Sequence, residues 1–291
     1  MVSLFPDKLG GLWHDVGLAK GKPLSATRGG SPARLDSRDD APLTSTFSDD
    51  DAMMVYTRMG RPRRRAYVLV HGIGMGRAVF ARLAAALARS GRVYGVDLPG
   101  FGDSPRPTQS WSMTHYGDLL AAFIENVVRQ DSPPQEIVLV GHSMGTEVAV
   151  EAAARHLNSV DALVLIAPTV NASERTATRQ VMRMVQDLYD ESLRVLANGF
   201  IQYLKANPLW FLKVLNVMLH HKVETILPRI TTPTLVLRGE DDWVCPSSWV
   251  KEVAELIPGA RYAEAKGHGH EAMIRSASPV VGMIVEFLDE M

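Results

Sequence analysis

Residues 141 to 145 read Gly-His-Ser-Met-Gly, between the apolar run "EIVLV" and the helical pattern "TEVAVEAAAR". A strand that turns straight into a helix forces strained dihedrals on the corner residue, and side chains beside the corner would collide. The flanking Gly141 and Gly145 remove that collision. The hydroxyl of Ser143 then stands clear at a helix N-terminus, where unpaired N–H groups and the helix dipole favour developing negative charge. That is the position of a nucleophile. A serine needs a base to become one, and the base needs an acid to orient it. Downstream, "LVLRGEDDWVCP" closes an apolar run with Gly239 and then exposes Glu240, Asp241 and Asp242. Further on, "AKGHGHEAM" carries His268 and His270. On residue types alone the choice within each group stays open. The bland alternatives are a serine that only caps its helix and carboxylates on a solvated turn.

These side chains can meet only if the surrounding elements bring them to one edge. From residue 52 onward, apolar runs of strand length alternate with helical patterns: "AYVLVHG", "RVYGVDLPG", "EIVLVG", "ALVLIAP", "TPTLVLRGE" and "RYAEA", with helices between and after them. Near-continuous Val/Leu/Ile strands alternating with helices predict an α/β fold with a doubly wound, mostly parallel sheet buried on both faces. Ligands are then expected at the C-terminal ends of the strands. The core is assigned to residues 52–168 and 232–291. Residues 169–231 show no strand pattern and read as an inserted helical lid, with Val181, Met184, Val185 and Leu188 on one face and Trp210, Val214, Leu215 and Met218 on another. Residues 1–51 read as an N-terminal arm, partly extended or disordered, rich in Gly, Pro, Ser, Thr and Asp over much of its length. Within it, apolar residues from Leu4 to Val16 recur at helical spacing. They predict a short helix docked on the body, with a membrane-surface or homodimer contact as the alternatives.

The chain has 291 residues, 46% hydrophobic and 22% charged, with a net charge of −1. Such a balance provides enough apolar material for one large core and no electrostatic reason to bind nucleic acid. The basic cluster Arg61 to Arg65 reads as a solvated turn. One cysteine, Cys245, excludes an internal disulfide and leads to the expectation of no cysteine-based metal site. There is no basic-then-apolar leader and no apolar run of about 18 residues, so the expected location is cytoplasmic, with no integral membrane segment.

Five stretches together resemble the α/β-hydrolase superfamily of the serine esterase and lipase type: "VLVHGIGMG", "GVDLPGFGDSPRP", "VLVGHSMG", "PTLVLRGEDDWVCP" and "GHGHEAM…EFL", in that order across residues 52–291. The resemblance implies a Ser-Asp-His triad. The family's acid usually stands three residues after the glycine that ends its strand, which selects Asp242. Its histidine lies about seventeen residues before the closing Phe-Leu of the last helix, which selects His270. The turn His71-Gly72-Ile73-Gly74 resembles the oxyanion loop, and this implies that the backbone N–H groups of Ile73 and Met144 hold the oxyanion. His71, Gly72 and Gly74 would support that loop, and Gly141, His142 and Gly145 the serine corner. The implied activity is cleavage of a small-molecule carboxylic ester with an apolar portion through an acyl-enzyme, with no cofactor and no metal. Alternatives using the same triad are carbon–carbon bond, thioester, lactone or amide hydrolysis, or perhydrolysis. A catalytically weak ligand receptor on the same fold is the alternative of another kind.

Other chemistry-bearing residues receive structural readings. Asp97 reads as a loop residue, and Cys245 as an ordinary buried thiol with nothing placed to deprotonate it. His220, His221 and Glu224 only loosely match a metal spacing. Glu147 follows the serine corner by four residues, and the sequence offers no reason for it.

Overall fold

The computed structural model describes residues 41–49, 52–131, 136–176, 178–179, 183, 208–270 and 277–291. Its elements in chain order are β1 (Leu43–Asp49), β2 (Ala52–Met59), β3 (Arg65–Val70), α1 (Ala81–Leu87), β4 (Gly91–Asp97), α2 (Met113–Phe123), β5 (Glu136–His142), α3 (Met144–Arg155), β6 (Ala162–Ile166), α4 (Pro208–His220), β7 (Thr234–Gly239), α5 (Ser247–Leu256), β8 (Arg261–Ala265) and α6 (Ala277–Asp289). The strands form one eight-stranded sheet in the order β1-β2-β4-β3-β5-β6-β7-β8. The β1–β2 and β2–β4 pairs are antiparallel, and every pairing from β4–β3 through β7–β8 is parallel. The mostly parallel α/β expectation therefore holds.

Burial explains the strand patterns. Every residue of β3, β6 and β7 is buried, as expected for strands covered by helices on both faces. Helices α2 and α3 pack on each other, as do α1 and α6. Large side chains such as Tyr67, Tyr116, Phe80 and Trp249 fill the spaces between helices and sheet.

Two strands, β1 and β2, lie outside the apolar runs read from the sequence. The end of the proposed arm is β1, hydrogen-bonded along its length to β2, with Phe47 set edge-on to Phe123 at 5.7 Å. Its sequence, LTSTFSD, is mostly exposed at the sheet margin, so it carries no continuous apolar run. The arm's earlier part, including Leu4 to Val16, lies outside the described residues. So does much of the proposed lid, including Val181, Met184, Val185 and Leu188. The described part of that insertion contains α4, which buries Trp210, Val214 and Met218, three of the four residues assigned to its inner face, while Leu215 is half-buried.

One loop is braced where the notion of a structural Asp97 predicts. Asp97 is buried, pairs with the Arg77 guanidinium and accepts the Asp103 N–H at 2.8 Å. Its backbone oxygen accepts the Ser104 hydroxyl at 2.6 Å, and that hydroxyl accepts the Val55 N–H at 2.8 Å. The loop after β4 is thereby tied to β2.

Candidate active site

Because β3, β5, β6, β7 and β8 run parallel, the loops that follow them leave the sheet at one edge. The loop after β3 carries His71 to Gly74, the β5–α3 corner carries Ser143, and the loops after β7 and β8 carry Asp242 and His270. Ser143 is the corner between β5 and α3, with φ 53° and ψ −124°, a left-handed conformation that a residue with a side chain rarely adopts. Close packing enforces it. A Cβ on Gly141 would lie 2.5 Å from the Gly145 oxygen, and one on Gly145 would lie 2.3 Å from the Val70 oxygen. The corner is pinned by the Ser143 N–H to the Ile166 oxygen at 3.0 Å, and by the Thr146 hydroxyl to the Ser143 oxygen at 2.6 Å.

The loop after β3 presses on this corner. A Cβ on Gly72 would lie 3.0 Å from the Ser143 Cβ and 3.4 Å from its hydroxyl oxygen, so only a glycine lets the loop approach the serine so closely. His71 fixes the loop's orientation. Its Nε2 accepts the Leu98 N–H at 3.0 Å, which leaves the proton on Nδ1, donated to the Gly72 oxygen at 2.8 Å. Burial holds this imidazole's pKa below its ordinary value, consistent with a neutral ring. The Gly72 oxygen also accepts the Met75 N–H at 3.2 Å. In a trans peptide the C=O and the next N–H point in opposite directions, so anchoring the Gly72 oxygen aims the Ile73 N–H away from His71. The turn places Gly74 in the left-handed region at φ 72°.

Asp242 and His270 meet. His270 Nδ1 donates to Asp242 Oδ2 at 3.0 Å, while Asp242 Oδ1 accepts the Cys245 N–H at 2.8 Å. Asp242 is buried, and the His270 side chain retains 11% exposure. Asp241 and Glu240, the other candidate acids, instead tie the two loops together. The Asp241 N–H donates to the His268 oxygen at 2.9 Å, and the Gly267 N–H donates to Glu240 Oε2 at 3.0 Å. His268 turns its Nδ1 to the Lys266 oxygen at 2.7 Å. Gly239 allows the loops to touch, because a Cβ there would lie 2.1 Å from the His268 oxygen.

His142 has a larger part than its corner position suggested. Its Nε2 donates to the His270 backbone oxygen at 3.1 Å, and the two rings lie 5.1 Å apart. The serine corner and the histidine loop are thus held by one hydrogen bond. Full burial keeps His142 well below the ordinary histidine pKa and hence neutral.

Cys245 requires a correction. It is buried, as expected, but its Sγ lies 3.8 Å from His270 Nδ1, beside the acid–base pair. The contact joins loops 25 residues apart, which no local pattern encodes. Glu147 also acquires a place in the structure: it is fully buried on α3, and neither carboxylate oxygen has a hydrogen-bond partner among the described residues. Burial pushes its pKa well above the ordinary carboxylate range. His221 is pushed down to about 4 by burial and stands 3.5 Å from Glu151. His220 donates locally to the Asn216 oxygen at 2.7 Å, so the pair does not converge. Among the described residues no helix is long and apolar enough to cross a membrane.

Residues 67–218 match a family model described as the alpha/beta hydrolase fold, and residues 214–290 match one described as TAP-like protein. A pimeloyl-acyl-carrier-protein methyl ester esterase of Chromobacterium violaceum is 28% identical over 76% of this chain and 93% of its own length. A monoglyceride lipase of Rattus norvegicus is 26% identical over 72% of this chain and 76% of its own. A solved thermophilic esterase from Thermogutta terrifontis superposes with a TM-score of 0.70 at 21% identity, covering 86% of this chain and 98% of that one.

Proposed function

The chain belongs to the alpha/beta hydrolase fold family, and from that premise we propose that it is a serine hydrolase of carboxylic esters in which Ser143, Asp242 and His270 form the catalytic set. One observation carries the reading: a serine held at φ 53° on the strand-to-helix corner, with a buried aspartate–histidine pair in the loops at the same sheet edge. His270 takes the Ser143 proton on Nε2, since Nδ1 is committed to Asp242. The hydroxyl oxygen attacks the ester carbonyl, and the resulting oxyanion is held by the Ile73 and Met144 N–H groups. His270 then protonates the leaving alcohol. Water, activated by the same nitrogen, releases the acid and regenerates Ser143.

Relatives named as esterases and lipases support ester cleavage. The apolar part of the substrate rests on the methionine- and aromatic-rich composition of the insertion, which we propose is a lid, and on its place in the chain directly after β6, a neighbour of β5 in the sheet. A cytoplasmic location, and pairing of the chain through its N-terminal arm, are proposals that rest on sequence alone.

Hydrolysis of p-nitrophenyl esters from acetate to palmitate by the parent and by Ser143→Ala tests the reading. An optimum at one chain length that vanishes in the variant supports it. Equal turnover by both proteins would overturn it.

A further inference from the structure

The loop after β7 brings a third donor to the acid–base pair. Asp242 oxygen, Cys245 sulfur and His270 Nδ1 all lie within 4.8 Å of one another, with 3.0 Å between nitrogen and carboxylate and 3.8 Å between sulfur and nitrogen. Donors bound at about 2.0–2.3 Å to a tetrahedral zinc ion stand about 3.2–3.6 Å apart, so the nitrogen–carboxylate and sulfur–nitrogen separations each lie within a few tenths of an ångström of that range. Thiolate, imidazole and carboxylate are also the donor types that zinc takes.

The loop is already fixed in this arrangement. Arg238 donates Nη2 to the Asp242 backbone oxygen at 2.8 Å and Nε to the Cys245 backbone oxygen at 3.0 Å, and the Cys245 N–H donates to Asp242 Oδ1. Both side chains therefore leave one braced turn. The charge of Arg238 does not oppose a cation outright, since Glu264 neutralises it at 2.7 Å. Thiolate and carboxylate together balance a divalent ion, leaving a site with no net charge of its own, which lowers the cost of burying it.

We propose that Asp242, Cys245 and His270 form a binding site for a thiophilic divalent cation of the zinc class, and that its occupation switches hydrolysis off. The switching half rests on the reading of His270 as the base. Before binding, the neutral ring carries its proton on Nδ1. The metal takes the Nδ1 lone pair, so the ring proton resides on Nε2, the nitrogen that must accept the Ser143 proton. The thiol proton is released to solvent, one per metal bound, and Asp242 binds through its carboxylate. The ring remains neutral, yet it can no longer act as a base towards the serine.

Cobalt(II) titration of the full chain tests this, because a thiolate bound to cobalt absorbs by charge transfer and the band reads binding without activity. The band should saturate at one equivalent, vanish in Cys245→Ala, and need more metal in His270→Ala. Ester turnover in the same samples should fall by about 10²-fold or more, the contribution of a general base, and a chelator should restore it. Cys245→Ala, measured against its own metal-free rate, should resist the metal. No band on the folded parent, a band that persists in Cys245→Ala, or a saturated site with undiminished turnover would each overturn the proposal. A saturating band on a parent that never cleaves esters would uphold the metal site and sink the ester-hydrolase reading instead.

Discussion

Gly239→Ala isolates the geometry of the base loop without touching any group proposed to react. The alanine Cβ would lie 2.1 Å from the His268 oxygen and 2.3 Å from the Gly269 oxygen. An ordinary carbon–oxygen contact needs about 3.2 Å, so the carbonyls must retreat by about 1 Å, and His270 follows one residue later. A misplacement of about 1 Å at a reacting centre costs about 10²-fold, or about 2.7 kcal/mol of transition-state stabilisation. Overpacking itself costs about 1–3 kcal/mol, which a domain of ordinary stability survives. The expected result is a folded protein with a lower melting temperature and kcat for ester hydrolysis down about 10²-fold, with KM changed far less. Gly282→Ala is the reference: its Cβ meets nothing within 4 Å on α6, so it should leave kcat unchanged and add about 0.5–1 kcal/mol. If Gly239→Ala folds and keeps kcat within about threefold of the parent, then either the loop does not set the histidine or His270 is not the base.

Three further outcomes follow from the same geometry. Asp242→Asn should lower kcat by about 10⁴-fold, since its amide oxygen can still accept the Cys245 N–H only if the NH2 faces His270, which reverses the ring tautomer; steady-state kinetics with a normal melting curve checks this. His71→Ala leaves the Gly72 oxygen held only by the Met75 N–H and should cost up to about 10²–10³-fold in kcat, the worth of one oxyanion donor; steady-state kinetics beside a melting curve checks this. Glu147 titrates higher in the folded chain than in the unfolded one, where the ordinary value is 4.5. The unfolded chain therefore sheds this proton first as pH rises. Its contribution to stability is full below that value and is lost at up to about 1.4 kcal/mol per pH unit up to the folded pKa. Glu147→Gln should remove this slope, so its melting temperature should gain on the parent's as the pH rises above the ordinary value of 4.5; parallel slopes for the two proteins would contradict the buried neutral acid.

The parts of the site that are legible in the sequence are those set by short-range sterics. Gly141 and Gly145 mark the corner because the contacts they relieve lie in the adjoining turn and strand, and the strand-then-helix setting of Ser143 is visible in twenty residues. Residue types alone left three acids and two histidines. The family pattern selected Asp242 and His270, and these are the pair that meet in the fold, while Asp241 and His268 join the two loops through backbone atoms. What stayed hidden depends on contacts between distant segments. Cys245 touches His270 only because Gly239 lets two loops collapse together, and His142 reaches the His270 oxygen across 128 residues of chain. Strand β1 was missed because an edge strand facing water needs no apolar run.

Phosphonate labelling followed by peptide mass analysis tests the central claim most directly, since a phosphonate reports the activated nucleophile whatever ester the chain prefers. Stoichiometric modification of the peptide bearing Ser143, slowed by orders of magnitude in His270→Ala, is the predicted result. A folded parent that remains unlabelled, or that is labelled on another residue, would contradict it.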